Sequence, residues 1–557
     1  MIPPMLPGAD DAVGWRRVLL ALTGGAVLVY LALAFFQPFT LRYDPWVIQD
    51  DARQFLAWMP RLTDPGAMRG DLIADYWQSV SPPLYRLPFA VLAWMGVAPP
   101  VTALLAPALL FPLTVLALWP VALRLLGRPI PAFCGAALVM IYLIHEDSLY
   151  SSTPRALATP LVLLFVHGLL SNHPRAILVA LTLLALVYPA PAITCLAMLG
   201  LWHVRLFPRP GVDLSRRSIA LVGGAALLVA GAGLSFRGEV ARWQPVLTIA
   251  EVASIPSMTT PGARSSIVQA NGRIGWVCSS RIGFLPEIVH CGRREIGPGA
   301  LVNLLMLLPM LLLGWRALRR GDPADPDRLY ALAVAAALIC WTAAALVLFK
   351  LHLPSRYSQR VLVPLELLGA TRFATGLLAA RWTEGTRRIV GKVAAIALLP
   401  AFLSPGPKLT RPLVAPAVAR IAALPAETRI AGVADELNLV PALTGRAVLA
   451  TTEHDIPYQL GYYRPFHRQL RDSVSAVTSP HREVIGRFVR QHAVDVVAVD
   501  AHVLSTGRLT PRYRATLPEF RPVTAVPALA SAPCRSFTGG QLILFDGKCL
   551  MHWAAVR

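Results

Sequence analysis

The chain has 557 residues, of which 55% are hydrophobic and only 15% are charged, and its mean hydropathy is +0.54. Soluble domains carry about 25% charged residues, and the apolar residues here form long runs, so this composition excludes an ordinary soluble protein. It predicts a polytopic α-helical membrane protein. The net charge of +21 does not indicate nucleic-acid binding, because most basic residues lie in short clusters between apolar runs, where membrane topology explains them.

Eleven apolar segments are predicted to cross the membrane. The first, from about Val18 to Phe36, follows Arg16 and Arg17 and is predicted to be an uncleaved signal anchor. The other ten begin near residues 101, 129, 155, 175, 190, 217, 299, 328, 360 and 389. Alternate short loops hold most of the basic residues, so the positive-inside rule places the N-terminus inside and the C-terminus outside.

The topology predicts a transmembrane domain over residues 1–405 and a second domain over 406–557. The predicted outer loops of the first domain are 38–100, 145–155, 237–298 and 350–360. From about residue 410, short apolar strands alternate with a helical segment, which is typical of a soluble α/β domain, and we expect it to be extracytoplasmic. Arginine far outnumbers lysine, which is typical of GC-rich bacterial genomes, so the predicted location is a bacterial inner membrane.

The cysteines fit this topology. Three fall within apolar segments and four within two outer segments: Cys134, Cys195 and Cys340, then Cys278 with Cys291 and Cys534 with Cys549. An even number on an oxidising side predicts two disulfides, each closing a short loop. Four free thiols in a reducing compartment are the alternative.

The first outer loop contains an adjacent acidic pair, Asp50 and Asp51. The pair precedes a helix that is predicted to lie in the membrane interface with its apolar residues on one face: Phe55, Leu56, Trp58, Met59 and Leu62. Two carboxylates at the membrane surface suit a general base or a divalent-cation site. Asp44, in the same loop, is a further candidate for contact with a sugar, an acceptor or a cation. The structural alternative is that Asp50 only caps the helix that is predicted to start near Ala52.

A second polar group lies in the outer loop between the third and fourth segments. His145, Glu146 and Asp147 are candidates for binding a sugar, an acceptor or a cation, and Arg155 follows at the outer end of the next helix. A solvated loop and a snorkelling arginine are the structural alternatives.

A third outer loop, residues 350–360, contains Arg356 beside Tyr357. A guanidinium with a neighbouring phenol is suited to a lipid phosphate, which arginine binds through two parallel hydrogen bonds. An aromatic anchor with a snorkelling arginine is the alternative.

Together these features resemble the GT-C superfamily, integral membrane glycosyltransferases that use polyprenyl-phosphate-linked sugars as donors. The resemblance rests on both acidic loops, on the Ser-Pro-Pro-Leu-Tyr-Arg run from Ser81 to Arg86, and on the outer Pro-Ser-Arg-Tyr of residues 354–357. It implies a GT-C transmembrane fold and sugar transfer, with inversion, to an envelope glycan, lipid or protein on the outer face.

The resemblance also implies roles for individual residues. Asp51 or Asp50 would deprotonate the acceptor, while Arg356 and Arg155, beside Tyr357, would bind the departing lipid phosphate. Glu146 and Asp147 would orient the sugar or share a divalent cation, Mg or Mn, with Asp51. Members of the superfamily differ in metal requirement, so the cation stays open.

Two other functional classes remain. A lipid or glycan transporter or flippase would also be polytopic, and prolines in the second apolar segment suit a broken transport helix. However, the cores of the apolar segments are nearly free of charge, whereas a flippase is expected to carry ionisable residues near the midplane. A non-catalytic envelope-assembly scaffold is the other alternative, and it does not require the acidic loops to converge.

Overall fold

The computed structural model describes residues 9–37, 40–146, 148–205, 210–235, 237–261, 263–269, 271–291, 297–402, 408–520 and 526–555. Each of the eleven predicted membrane segments is helical. The helices are Ala9–Phe35, Pro99–Leu126, Pro129–His145, Ala158–Leu170, Pro174–Val187, Pro189–Trp202, Arg216–Ser235, Pro298–Arg320, Arg328–Leu346, Ser355–Arg381 and Glu384–Phe402.

Six helices of the described chain are long and apolar enough to cross a membrane. They are Asp10–Phe35, Pro99–Leu126, Arg216–Ser235, Pro298–Arg320, Arg328–Leu346 and Ser355–Arg381. Four shorter apolar helices, at Pro129–His145, Pro154–Leu170, Pro174–Val187 and Pro189–Trp202, pack beside them. The chain is therefore described as a multi-pass membrane protein, while the eleven crossings and their direction stay predictions.

Proline and glycine set several of the helix ends. Pro99, Pro129, Pro174 and Pro298 each occupy the first helical position, where the missing N–H has no intrahelical partner to lose. One long apolar stretch is divided at Tyr188, whose backbone leaves the helical region with φ −150° and ψ 86° just before Pro189. Proline cannot continue the preceding helix, so two short helices form there.

The first outer loop folds into short helices. These are Ala52–Leu56, Met59–Leu62, Leu72–Val80 and Pro83–Trp94. The side chains of Leu56, Trp58 and Met59, predicted to face a membrane surface, are instead buried in a core that they share with the C-terminal region. That core forms because the first outer loop and the C-terminal region both present large apolar side chains, and burying these side chains together lowers the free energy of the folded chain.

The C-terminal region is built on a five-stranded sheet. The strands of the chain are β1 (Ile48–Gln49), β2 (Val204–Arg205), β3 (Gly211–Val212), β4 (Leu409–Thr410), β5 (Arg429–Val433), β6 (Ala447–Val448), β7 (Val496–Asp500), β8 (Arg535–Gly539) and β9 (Leu542–Asp546). The sheet has the order β6-β5-β7-β9-β8, in which β5 is parallel to β6 and β7, and β9 is antiparallel to β7 and β8. Gly432 lies so close to β7 that a Cβ atom there would meet the Ala498 carbonyl oxygen at 1.9 Å.

Helices surround this sheet and fill the remaining loops. Around the sheet lie Ala415–Ala422, Asp435–Asn438, Val440–Thr444, Leu460–Thr478, Arg482–His492, Ala501–Thr506, Pro511–Thr516, Ala528–Ser531 and Gly547–Ala555. The loop region before residue 298 adds Arg237–Ala241, Ile249–Ser254 and Pro256–Thr259, and Pro154–Leu157 precedes the helix Ala158–Leu170.

The first outer loop is joined to the chain that follows the last long helix. Strand β1 pairs antiparallel with β4, with Ile48 opposite Thr410. Asp44 is buried beside this pair, where it receives a hydrogen bond from Arg411 at 3.0 Å and another from the Trp46 backbone N–H at 3.0 Å. These contacts fix the start of the acidic loop against the C-terminal region.

Two disulfides are present in the structure. Cys278 is bonded to Cys291 within the loop before the helix Pro298–Arg320, and Cys534 is bonded to Cys549 beside the sheet. The remaining cysteines are free thiols: Cys134, Cys195 and Cys340.

Candidate active site

A neighbouring glutamine, and not the acidic pair, caps the N-terminus of the short helix that follows the pair. Gln49 Oε1 accepts hydrogen bonds from the backbone N–H groups of Asp51 and Ala52, each at 3.0 Å. Asp51 occupies the N-cap position of the helix Ala52–Leu56, yet its side chain makes no capping hydrogen bond. Asp50 turns instead towards Arg53, at 2.7 Å, so neither carboxylate is committed to the cap.

Asp51 is surrounded by arginines. Its carboxylate forms an ion pair with Arg155 and lies 3.6 Å from Arg264. Burial alone would raise the pKa of Asp51, but Arg155, Arg264, Arg356 and Arg53 together lower that pKa to about 2. The group is therefore ionised at neutral pH, which is the protonation state that a base requires.

Glu146 forms the second acidic centre. Its oxygens lie 3.2 and 3.3 Å from Arg360 Nη1, and the backbone N–H of Ser148 donates to Oε2 at 2.9 Å. Burial would raise the pKa of Glu146, but Arg360 and then Arg155 outweigh it and lower that pKa to about 2. Arg155 thus acts on both acidic centres and joins them into one cluster.

Arg356 has no ion-pair partner among the described residues. It lies in the first turn of the helix Ser355–Arg381, and the charges of Arg360, Arg155 and Arg281 act on it. Arg281 donates a hydrogen bond to the Tyr458 hydroxyl at 2.9 Å. A cation that lies among other cations and contacts no carboxylate favours an anionic ligand.

Three of the predicted site residues are not part of this cluster. The Tyr357 hydroxyl donates to the Leu351 carbonyl oxygen at 3.0 Å, and its ring packs with Cys340. His145 is exposed and forms no ion pair or side-chain hydrogen bond with the described residues. Asp44 is held by Arg411, as described above. Asp147 lies outside the described residues.

The C-terminal region supplies a further carboxylate, which sequence reasoning missed. Glu453 lies just after β6, with 3% of its side chain exposed, and it contacts Arg53 at 2.6 Å and Arg264 at 2.5 Å. Its backbone carbonyl accepts a hydrogen bond from Gln54 Nε2 at 2.8 Å. The cluster therefore draws on five separate stretches of the chain, around residues 50–53, 146–155, 264, 356–360 and 453.

Comparison with known proteins identifies the fold. No protein-family model and no curated protein matches the sequence. The structure aligns with the oligosaccharyltransferase of Archaeoglobus fulgidus in its apo form, with a TM-score of 0.51 and 12% identity, over 95% of this chain and 74% of that chain. The chain is similar in fold to an oligosaccharyltransferase.

Two further solved structures align less closely. They are the archaeal oligosaccharyltransferase AglB from Archaeoglobus fulgidus in complex with an inhibitory peptide and a dolichol-phosphate, and ArnT from Cupriavidus metallidurans in the apo state. The first has a TM-score of 0.48 and 12% identity over 90% of this chain and 70% of that chain. The second has a TM-score of 0.47 and 12% identity over 98% of this chain and all of that chain. The predicted resemblance is confirmed as a likeness of fold to an oligosaccharyltransferase.

The described residues of the cluster do not form a divalent-cation site. No three His, Cys, Asp or Glu side chains within the described ranges are grouped closely enough to hold a metal ion. The carboxylates of Asp51 and Glu146 face Arg155 and Arg360 instead, and these guanidiniums already neutralise them. A hard cation needs several oxygen ligands that point at one position.

Proposed function

We propose that the chain transfers a sugar from a polyprenyl-phosphate-linked donor to an envelope glycan, lipid or protein acceptor, at the outer face of a bacterial inner membrane. One observation carries this proposal. An ionised carboxylate, Asp51, lies in the same cluster as Arg356, a guanidinium with no ion-pair partner in the described chain. Glycosyl transfer from a lipid phosphate requires these two functions, a base for the acceptor and a cation for the leaving group.

The proposed reaction is a single displacement. The acceptor hydroxyl oxygen forms a bond to the anomeric carbon while the bond from that carbon to the phosphate oxygen breaks, and Asp51 takes the hydroxyl proton. The anomeric carbon is inverted, and the lipid phosphate leaves with the bonding electron pair. Asp51 is preferred to Asp50 as the base, because Arg356, the proposed phosphate ligand, acts on the Asp51 carboxylate. Asp50 instead contacts Arg53 at 2.7 Å and receives a hydrogen bond from Thr410 of the C-terminal region at 3.4 Å.

The charge change at the phosphate explains the need for an unpaired arginine. A sugar-phosphate-lipid diester carries one negative charge, and the departing phosphate monoester carries a second one. Arg356 offers a planar pair of N–H donors for that developing charge, and Arg155 lies close enough to add its own field. Preorganised cations at the position of developing charge lower the barrier without moving during the reaction.

Convergence of the cluster also argues against a scaffold. A non-catalytic scaffold gives no reason for ionisable side chains from five distant stretches to meet at the ends of apolar helices. The outward location of the cluster is inferred from the distribution of basic residues, which favours the opposite side as cytoplasmic.

Substitution of Asp51 tests the proposal. Asp51→Asn preserves the shape of the side chain but removes the base, so the rate of sugar transfer in purified, detergent-solubilised protein should fall by about 10²-fold or more. Asp64→Asn is the matched control, because Asp64 is an exposed acid of the same outer loop outside the cluster. Unchanged transfer by the Asp51→Asn variant would refute the catalytic assignment.

A further inference from the structure

Glu453 is held rigidly at the edge of the cluster. Its backbone N–H donates to Asn438 Oδ1 at 2.9 Å, and its carbonyl oxygen accepts from Gln54 Nε2 at 2.8 Å. The first contact fixes the residue within the C-terminal region, and the second ties it to the short helix that follows the acidic pair. The Glu453 backbone is therefore fixed relative to Asp50 and Asp51, and its carboxylate contacts Arg53 and Arg264.

Both arginines that contact Glu453 are shared with the acidic pair. Arg53 lies 2.6 Å from Glu453 and 2.7 Å from Asp50. Arg264 lies 2.5 Å from Glu453 but 3.6 Å from Asp51. Both distances are measured from Arg264 Nη2, so this nitrogen binds Glu453 and makes only the longer contact with Asp51.

This arrangement affects how well Asp51 can accept a proton. A guanidinium bound directly to a carboxylate stabilises its ionised form and makes it a poorer base. Asp51 already carries one close arginine, Arg155, so a second close contact from Arg264 would lower its proton affinity further. Glu453 prevents that contact by attracting Arg264 to itself.

We propose that Glu453 is a positioning residue of the site, which holds Arg264 and Arg53 at their distances from the acidic pair, so that the C-terminal region completes the active site. This inference rests on the proposed function, because the role is defined by the proton that Asp51 takes. Glu453 itself does not touch the reacting atoms in this account.

A double-mutant cycle separates positioning from a merely structural role. Glu453→Gln keeps the size of the side chain but releases Arg264 towards Asp51, so we expect kcat to fall on the order of 10-fold with the donor KM unchanged. Removing the released cation in the Glu453→Gln/Arg264→Gln variant should restore part of the lost kcat. Glu453→Asp, which keeps the charge on a shorter side chain, should lie between the parent and Glu453→Gln.

The control is another buried acid of the same segment. Asp455 is fully buried and binds His467 at 3.1 Å, and it contacts none of the cluster arginines in the described structure. Asp455→Asn should lower the melting temperature without changing kcat of the folded protein. The melting temperature of every variant is measured, so that a loss of folding is distinguished from a loss of positioning. If Glu453→Gln does not fold, Glu453→Asp takes its place.

Each outcome has a distinct meaning. A kcat loss in Glu453→Gln that the second substitution relieves supports the positioning role. A Glu453→Gln variant as active as the parent, or a double variant no better than Glu453→Gln, overturns that role while the proposed function stands. A parent protein that transfers no sugar from any polyprenyl-phosphate-linked donor refutes the proposed function, and the positioning role with it.

Discussion

Replacement of Arg356 tests the phosphate site most selectively. Charge-assisted hydrogen bonds are worth about 1.5–3 kcal/mol each, and about 1.4 kcal/mol corresponds to a factor of ten in affinity. Lysine keeps the charge but loses one of two parallel bonds, so Arg356→Lys should raise the donor KM about 10-fold. Arg356→Ala loses both bonds and the charge, so donor use should fall about 100-fold or more.

The structure also predicts how these variants affect stability. Arg356 forms no ion pair with the described residues, and its charged neighbours include Arg155, Arg281 and Arg360. Removing it relieves repulsion from these like charges but also removes its attraction for Asp51, which it does not contact directly, so the melting temperature of Arg356→Ala should change little. A purely structural arginine would show the opposite, because its loss would destabilise the protein in proportion to the lost activity.

The assay is the initial rate of transfer against donor concentration in purified protein, with the melting temperature measured in parallel. Arg69→Lys and Arg69→Ala are the matched controls, because Arg69 is exposed on the first outer loop and outside the cluster. An Arg356→Lys variant that matches the parent at every donor concentration would return Arg356 to the role of an interfacial anchor.

Three further predictions address other parts of the account. Non-reducing peptide mapping should recover the pairs Cys278–Cys291 and Cys534–Cys549, and labelling of all four cysteines before reduction would contradict both disulfides and topology. Glu366 is fully buried in the helix Ser355–Arg381, and its carboxylate has no hydrogen-bond partner in the described chain. Glu366→Gln should therefore retain sugar transfer within about 2-fold. Abolished function would instead favour a transporter with an intramembrane proton relay. The pKa of Glu146 is lowered from 4.5 to about 2 in the folded chain. As the pH falls from 4.5 to about 2, this carboxylate binds a proton in the unfolded chain before it does so in the folded chain, so the free energy of unfolding should decrease over this interval. Acid unfolding of a Glu146→Gln variant should show a shallower pH dependence there, and an unchanged slope would contradict the Glu146–Arg360 pair.

The membrane helices were predictable because apolar runs are local signals. Each predicted segment is helical, and the division at Tyr188 and Pro189 follows from the backbone chemistry of proline. The acidic pair and Arg356 could also be found from local sequence, since their residue types stand out against apolar surroundings. The number of true crossings stays a prediction, because only six helices meet the length and hydropathy expected of a span.

Tyr357 shows why the sequence groups side chains that the structure separates. The sequence predicts a loop over 350–360, in which neighbouring side chains can converge, but the helix begins at Ser355. Adjacent residues on a helix point about 100° apart, so Tyr357 faces away from Arg356. Residues four apart share one face of a helix. A predicted helix start at Ser355 instead of near residue 360 would have placed Arg356 on the same face as Arg360, which binds Glu146.

Contacts between distant parts of the chain could not be read from the sequence. Arg53 and Glu453 are 400 positions apart and meet only because the C-terminal sheet region packs on the first outer loop. Glu453 follows a short apolar strand within Thr-Glu-His-Asp, and that concentration of polar residues at a strand end was the one local signal available. The distances that make it a partner of Arg264 depend on the tertiary fold.

The proposed reaction breaks the bond between a sugar and a lipid-linked phosphate. The most direct measurement is to incubate purified protein with a polyprenyl-phosphate-linked sugar and an envelope acceptor, and to quantify free polyprenyl phosphate and glycosylated acceptor together. The account predicts one polyprenyl phosphate released for each sugar transferred, with inverted anomeric configuration, and almost none from the Asp51→Asn variant. Donor that stays intact with the parent protein, or equal release by parent and Asp51→Asn, would contradict it.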